Sequence, residues 1–235
     1  MRKLLLFSLL LPFMAYSQLD SVHDYKMVNE HLLLNIFENY WLNASPDMEI
    51  KPGSVSTGLT WYLVVLGKKS NVSFNLGYGF TSQSIKSNII LTTDSLKNTV
   101  FNSTILDTTD YRINKFSASY LDIPVEIRFR TNPNKRQRNF SLALGFRVGL
   151  LVQSYSKYYG DEFRFPLSNE EVKFKEYKTR NILPYHYGIQ ARIGYGKFYL
   201  FGSYYLTGVF KKGKGPEVIP VNFGFGFTLY RSKAF

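Results

Sequence analysis

Six ionisable side chains stand in the middle of segments that otherwise carry small and polar residues on one face: Asp122, Glu126, Arg128, Arg147, His186 and Arg192. Tyr120 and Gln190 lie beside them in the same pattern. Charges gathered in a narrow space closed to bulk water cost free energy unless opposite signs pair. Three chemistries suit such a set: an ion path, a gate or a catalytic dyad. The plainer reading is a network of ion pairs that fills the interior between strands, and it is preferred because narrow interiors are routinely filled by side chains.

Nucleophilic chemistry finds little to work with. Acyl transfer or lipid hydrolysis needs a nucleophile, an adjacent base and an orienting group. His186 lies in Tyr185-His186-Tyr187-Gly188 with no serine two residues away on its face, while His23 and His31 fall before or at an ill-defined first strand. No catalytic residue is assigned, and no cofactor. The chain has no cysteine, which excludes disulfides, thiol chemistry and a lipid anchor on an acylated cysteine. Asp161, Glu162, Glu170 and Glu171 alternate with basic residues and read as a solvated loop, so no metal site is expected either. Lys211-Lys212-Gly213-Lys214-Gly215-Pro216 resembles a phosphate loop but lacks its spacing and following helix. It reads as a flexible basic loop whose Lys211, Lys212 and Lys214 contact lipopolysaccharide phosphates.

The elements that must hold these residues are strands. Successive strand side chains point to opposite faces, and period-two alternation is plain in Val72, Phe74, Leu76, Tyr78, Phe80 and in Phe140, Leu142, Leu144, Phe146, Val148, Leu150. Alternation with turn punctuation predicts eight strands, Leu32 to Asn43, Ser54 to Leu66, Asn71 to Thr81, Phe116 to Arg130, Asn139 to Gln153, Asn181 to Gly194, Lys197 to Thr207 and Pro220 to Tyr230. Their connections alternate short and long. Gly67 to Ser70, Thr131 to Arg138 and Tyr195-Gly196 are short; Ser82 to Lys115 and Ser154 to Thr179 are long. The fold class is therefore all-β, an eight-stranded antiparallel up-and-down transmembrane β-barrel with short periplasmic turns and long extracellular loops. Hairpin parity sets Thr60 opposite Gly77, Asp122 opposite Arg147 and Arg192 opposite Tyr199 on one face.

Which face meets lipid follows from composition. Lys68, Lys69, Lys135, Lys173, Lys175, Lys178, Lys211, Lys212 and Lys214 are all placed in turns or loops, whereas a solvated wall would use lysines along its strands. One face carries Gly58, Gly77, Gly79, Gly145, Gly149, Gly188, Gly224 and Gly226, which suits a narrow lumen. The other carries Leu59, Trp61, Leu63, Val65, then Leu121, Ile123, Val125, Ile127, then Val221, Phe223, Phe225, Phe227, Leu229, a band for hydrocarbon. Tyr40, Trp41, Tyr155, Tyr158, Tyr159, Tyr195 and Tyr230 fall near strand ends and fit interfacial girdles. A soluble barrel would turn its apolar face inward.

Residues 1–17 open with Arg2 and Lys3, run apolar from Leu4 to Met14 and end Ala15-Tyr16-Ser17, the pattern of a removed secretory signal. Residues 18–31 form a lead segment and 32–235 the barrel. Loss of Arg2 and Lys3, with no acid among residues 1–17, lowers the formal charge from +12 to +10. For an exported chain the counter-charge is anionic lipid or lipopolysaccharide, with no nucleic acid partner.

Tyr120-Leu121-Asp122-Ile123-Pro124-Val125-Glu126-Ile127-Arg128-Phe129-Arg130 resembles the PorT-like outer-membrane β-barrel family of Bacteroidota, as do Leu144-Gly145-Phe146-Arg147-Val148-Gly149, Phe74 to Gly79, Tyr187 to Gly196 and Leu206 to Pro216. The resemblance implies an OmpA-like eight-stranded barrel in the outer membrane without a peptidoglycan-binding domain. For most members it implies no assigned activity. Pro124, which removes a ladder donor, is expected to mark a bulge or kink. The function expected is that of a monomeric structural or interaction barrel with a plugged lumen, not an enzyme. Alternatives are a component of a secretion or envelope assembly docking through Lys135, Arg136 and Arg138, and a small-solute porin or lipid-modifying enzyme.

Overall fold

The computed structural model describes residues 28–68, 70–103, 106, 110–131, 139–163 and 170–233. The expected leader, His23, Lys69, Lys135, Arg136 and Arg138 lie outside the described residues. Eleven strands are found among them: β1 (Val28–Leu42), β2 (Val55–Leu66), β3 (Val72–Lys86), β4 (Ile90–Thr93), β5 (Thr99–Asn102), β6 (Tyr111–Arg130), β7 (Phe140–Asp161), β8 (Glu171–Tyr177), β9 (Tyr185–Tyr195), β10 (Phe198–Tyr205) and β11 (Ile219–Lys233). Eight of these form the wall. Each pairs antiparallel with its neighbour in the order β6-β3-β2-β1-β11-β10-β9-β7, and β6 also pairs with β7, so the ladder returns on itself. β4 and β5 make a separate hairpin, and β8 extends β7.

The wall is all-β, eight-stranded and up-and-down, as the alternation predicts, yet its strands outrun the expected limits. β1 starts at Val28 rather than Leu32, which brings Glu30 out of the lead segment and into the wall. β3, β6 and β7 continue to Lys86, back to Tyr111 and on to Asp161, through segments expected as loops. β8 claims Lys173 and Lys175, also expected in a loop.

Register differs from expectation by two residues in all three hairpins. Thr60 faces Gly79, Asp122 faces Gly149 and Arg192 faces Phe201. A shift of two leaves each side chain on the face assigned to it, because the side-chain period is two. The causes are local: a β2–β3 connection that sets Leu66 opposite Phe74, three residues beyond expectation, which the bulge between Val64 and Leu66 cuts back to two, a β6–β7 turn running from Thr131 to Phe140, and a β9–β10 turn centred on Gly196 and Lys197. Gly196 holds φ at 60°, which a primed hairpin turn requires at its first central residue.

Pro124 makes no bulge. It stays in register with Arg147, and the β3–β6 ladder skips its position and resumes in the same register. Its ring points into the barrel, where Gly77 leaves room: a Cβ there would come within 3.1 Å of the ring.

Outward, the apolar band is as expected, with Leu63, Leu121, Ile123, Ile127, Phe223 and Leu229 all exposed. Inward, at the end carrying the long connections, lies an apolar cluster of Trp41, Ile85, Phe116, Ile182, Phe210 and Val218, with Ala118, Tyr120 and Val209. Trp41 and Tyr158 thus point inward and are buried, not set in a girdle, whereas Tyr40, Tyr195 and Tyr230 are exposed at strand ends. Tyr155 and Tyr159 sit on the projecting part of β7.

Candidate functional site

Alternation puts Asp122, Glu126, Arg128 and Arg130 on the inner face of β6, Arg147 on β7, and His186, Gln190 and Arg192 on β9; all but Gln190 are buried. The ring brings them together as two clusters.

Asp122 organises the first. Arg147 Nη1 donates to its Oδ2 at 3.3 Å, and the Thr81 hydroxyl donates to the same oxygen at 2.5 Å. The pairing of Asp122 with Arg147 therefore occurs, but diagonally across the ladder. His186 Nε2 lies 2.7 Å from Asp122 Oδ1, a bond that needs the proton on Nε2. The imidazole is held between the rings of Tyr120 and Tyr205, at 4.0 and 4.6 Å. Arg147 Nη2 donates to Gln190 Oε1 at 2.8 Å, and Gln190 Nε2 donates to the Tyr62 hydroxyl at 2.9 Å. Gly149 faces this group because a Cβ there would stand 2.2 Å from Asp122 Oδ1 and 2.3 Å from His186 Nε2.

The second cluster lies nearer the short turns. Arg128 donates to Glu126 through Nη2 and, at 2.9 Å, through Nε; Arg192 Nη2 donates to the same Glu126 oxygen at 2.8 Å. Glu30 collects Arg128 at 3.3 Å, Arg192 at 3.6 Å and Arg231 at 2.7 Å. Arg130 closes the layer, donating to Asn29 Oδ1 at 2.9 Å and to the Ser70 carbonyl at 3.0 Å. Tyr62 joins the two clusters: its ring lies 5.5 Å from the Arg128 guanidinium and 6.0 Å from that of Arg192. A cavity of about 20 Å³ remains between Tyr62, Glu126, Arg147, Gln190 and Arg192, room for about one water.

All six ionisable residues expected in the interior lie there, and sequence reasoning missed Glu30, Arg130, Arg231, Tyr62 and Thr81. Arg130, Tyr62 and Thr81 share the inward parity of their strands and were legible from it. Glu30 and Arg231 were not, because bulges around Leu32 break the parity that would place them.

A buried acid–imidazole pair can orient or relay a proton, but His186 makes its hydrogen bond to Asp122 and to no hydroxyl among the described residues. Lys211, Lys212 and Lys214 are exposed, but their loop is tied down rather than loose. Lys211 N donates to the Asn181 carbonyl, the Lys214 carbonyl accepts from Thr99 N, and Phe210 is buried in the apolar cluster.

A family model described as outer membrane protein beta-barrel domain matches residues 36–211, well over half of the chain. No curated protein sequence matches. Among solved structures, the chain is similar at a TM-score of 0.36 and 9% identity to Ail, the attachment invasion locus protein of Yersinia pestis, crystallised with the heparin analogue sucrose octasulfate; the match covers 89% of this chain and 99% of that one. A likeness of that size carries no argument about this chain. The family model runs from the first wall strand to the last long connection, over a ring whose apolar face is turned outward, and the chain accordingly belongs to the outer membrane protein beta-barrel domain family, as an integral outer-membrane barrel.

Proposed function

We propose that this barrel is a monomeric structural or interaction protein, without catalytic activity, whose lumen is plugged and whose long connections face the cell exterior. The observation that carries the reading is the continuity of inward side chains. From Arg130 and Arg231 near the turns, through Glu126 and Asp122, to Phe116 and Phe210 under the long connections, successive layers are buried and bonded to one another. A conducting pore of this strand number would need that column displaced. Short turns and both described strand termini share one end, the arrangement that outer-membrane barrels present to the periplasm. The tied loop of Lys211, Lys212 and Lys214 then displays positive charge over the mouth, toward lipopolysaccharide or envelope partners.

Within the family, the Tyr120 to Arg130 segment favours the PorT-like branch, and residues 1–17 suit an export signal cleaved before Gln18. Amino-terminal sequencing of the protein from outer membranes tests the latter, with Gln18 expected first. The plugged lumen is tested by planar-bilayer recording of the purified barrel. No steady unitary current is expected; reproducible channels would defeat the reading.

A further inference from the structure

Beyond the apolar band, β3, β6, β7 and β8 rise together as a four-stranded sheet, and one row of its register is unusual. Lys86 pairs with Lys115, Lys115 with Lys157, and Lys157 with Lys175. Four lysines thus stand directly opposite one another across three successive ladders. Directly opposed side chains have Cβ atoms about 4.5–5.5 Å apart, and like charges in that relation are destabilising. Ordinary solvated sheets relieve this by alternating signs.

Among the described residues no opposite charge relieves it. Among the described residues no carboxylate forms an ion pair with Lys86, Lys115, Lys157 or Lys175. Glu176 adjoins the row in register but points to the opposite face; on the row's own face the nearest acids, Asp161 and Glu171, lie further along the sheet, and Glu171 is already held by Arg112 at 3.0 Å and by the Tyr159 hydroxyl at 3.0 Å. Tyrosines steady the row: Lys175 Nζ lies 3.8 Å from the ring centre of Tyr155 and 4.5 Å from that of Tyr177. A shallow recess of about 430 Å³ opens between Tyr155, Lys157, Lys173, Phe174 and Lys175.

Position identifies the occupant. Strand parity, followed through the bulge at Ser119 and Tyr120, puts the row on the outer face, above Phe80, Leu121 and Leu150. Lys86 is six residues beyond Phe80, about 20 Å of strand at ~3.3 Å per residue, or roughly 15 Å along the axis of a wall tilted ~40°. That depth and direction meet the headgroups of the surrounding leaflet, not the mouth of the barrel. We propose that the ladder Lys86–Lys115–Lys157–Lys175 binds the phosphate groups of outer-leaflet lipid A. The proposal rests on the long connections facing the cell exterior.

The test uses the full barrel in a neutral maltoside detergent, titrated with bisphosphorylated lipid A, with dephosphorylated lipid A and with tripolyphosphate, and binding read by native mass spectrometry. K86Q/K115Q/K157Q/K175Q is expected to weaken bisphosphorylated lipid A at least tenfold. The corresponding four-arginine variant should stay within about threefold of the parent, and dephosphorylated lipid A should bind every form poorly. Heat-modified mobility verifies that each variant folds, and K115Q/K157Q serves if the fourfold variant does not. Unchanged binding by a folded glutamine variant overturns the proposal, as does equal affinity for dephosphorylated lipid A. Tripolyphosphate bound as tightly as the lipid would overturn it in favour of a soluble polyanion. Orientation is tested separately by labelling K212C on intact cells with a membrane-impermeant maleimide, a clean probe in a chain without cysteine.

Discussion

The lower and upper halves of β3, β6 and β7 are built on opposite plans. Below, these strands turn Leu76, Phe80, Leu121, Ile123 and Phe146 outward and Asn75, Asp122, Glu126 and Arg147 inward. Above, they turn Lys86, Lys115 and Lys157 to the outer face and Ile85, Phe116 and Tyr158 inward. The changeover falls at a single register row, Ser82 opposite Ser119 opposite Gln153. One strand thus obeys two solvents in succession. Where lipid is outside, the apolar side chains are spent on it and the interior closes with paired charges; where water is outside, they return inward as an ordinary core. The row marks where the hydrocarbon ends.

The ionic half is the more fragile when one partner is removed. Glu126→Ala leaves Arg128 and Arg192 with only the longer contacts to Glu30 to share, and a broken buried pair costs roughly 3–5 kcal/mol. Urea unfolding of the barrel in vesicles should show a loss of that order. A loss below about 1 kcal/mol would mean that lumen water, not the carboxylate, balances the guanidiniums.

The boundary itself is sharpened by one substitution below it, on the outer face of β6, and one on it, on the outer face of β7. Ile123→Arg places a guanidinium in the apolar band and should cost roughly 2–4 kcal/mol. Gln153→Arg, at the exposed β7 position of the changeover row, should cost about 0–1 kcal/mol, the interfacial value. Equal costs at the two positions would displace the boundary from Ser82–Ser119–Gln153.

The same inversion explains what could be read from the sequence. Eight wall strands, the outward band and the placing of all six ionisable lumen residues follow from alternation alone, because within the band each strand keeps one polarity. The reading of β3 stopped at Thr81, that of β6 began at Phe116 and that of β7 ended at Gln153, all near the changeover. Past that row the period persists but its sign flips, so Ile85, Lys86, Lys157 and Tyr158 look like loop. Lys173 and Lys175 look like loop for the same reason. Register slipped by two because turn lengths near Gly67 and Thr131 are not fixed by the hydrophobic pattern, which sets only parity. Glu30 and Arg231 needed the bulges at Leu32, and a bulge has no mark in the sequence.

The apolar half should yield locally. Ile85 is fully buried beside Phe116 in the cluster under the long connections. Ile85→Val removes one methylene and should cost about 0.5–1.5 kcal/mol. Hydrogen exchange is the discriminating measurement: amides of the upper halves of β3 and β6 should exchange faster while those of the lower wall stay protected. Uniform acceleration throughout the wall would show that the two halves unfold as one unit and that the contrast between them is not energetic.

The smallest effect expected lies at the tip of the β4–β5 hairpin, which packs by its Phe101 side chain against Trp41 and so covers the upper half. Asp94 Oδ1 accepts the Asn98 backbone N–H at 2.7 Å, Oδ2 accepts the Asn98 side-chain amide at 3.1 Å, and these bonds hold the carboxyl below its ordinary range. A carboxyl whose folded pKa is lowered stabilises the fold above its unfolded value, near 3.9, and that contribution is lost as pH falls through the folded value. The turn should therefore be insensitive to pH from neutrality down to about 4 and loosen below it. Carboxyl NMR of Asp94 should titrate below about 3.9, and Asp94→Asn should abolish the acid sensitivity of the Asn98 amide shift without altering that of the wall. An Asp94 midpoint at or above 3.9 would remove the hairpin tip from the ordered cover of the barrel and leave the upper half held by Phe116, Phe210 and their neighbours alone.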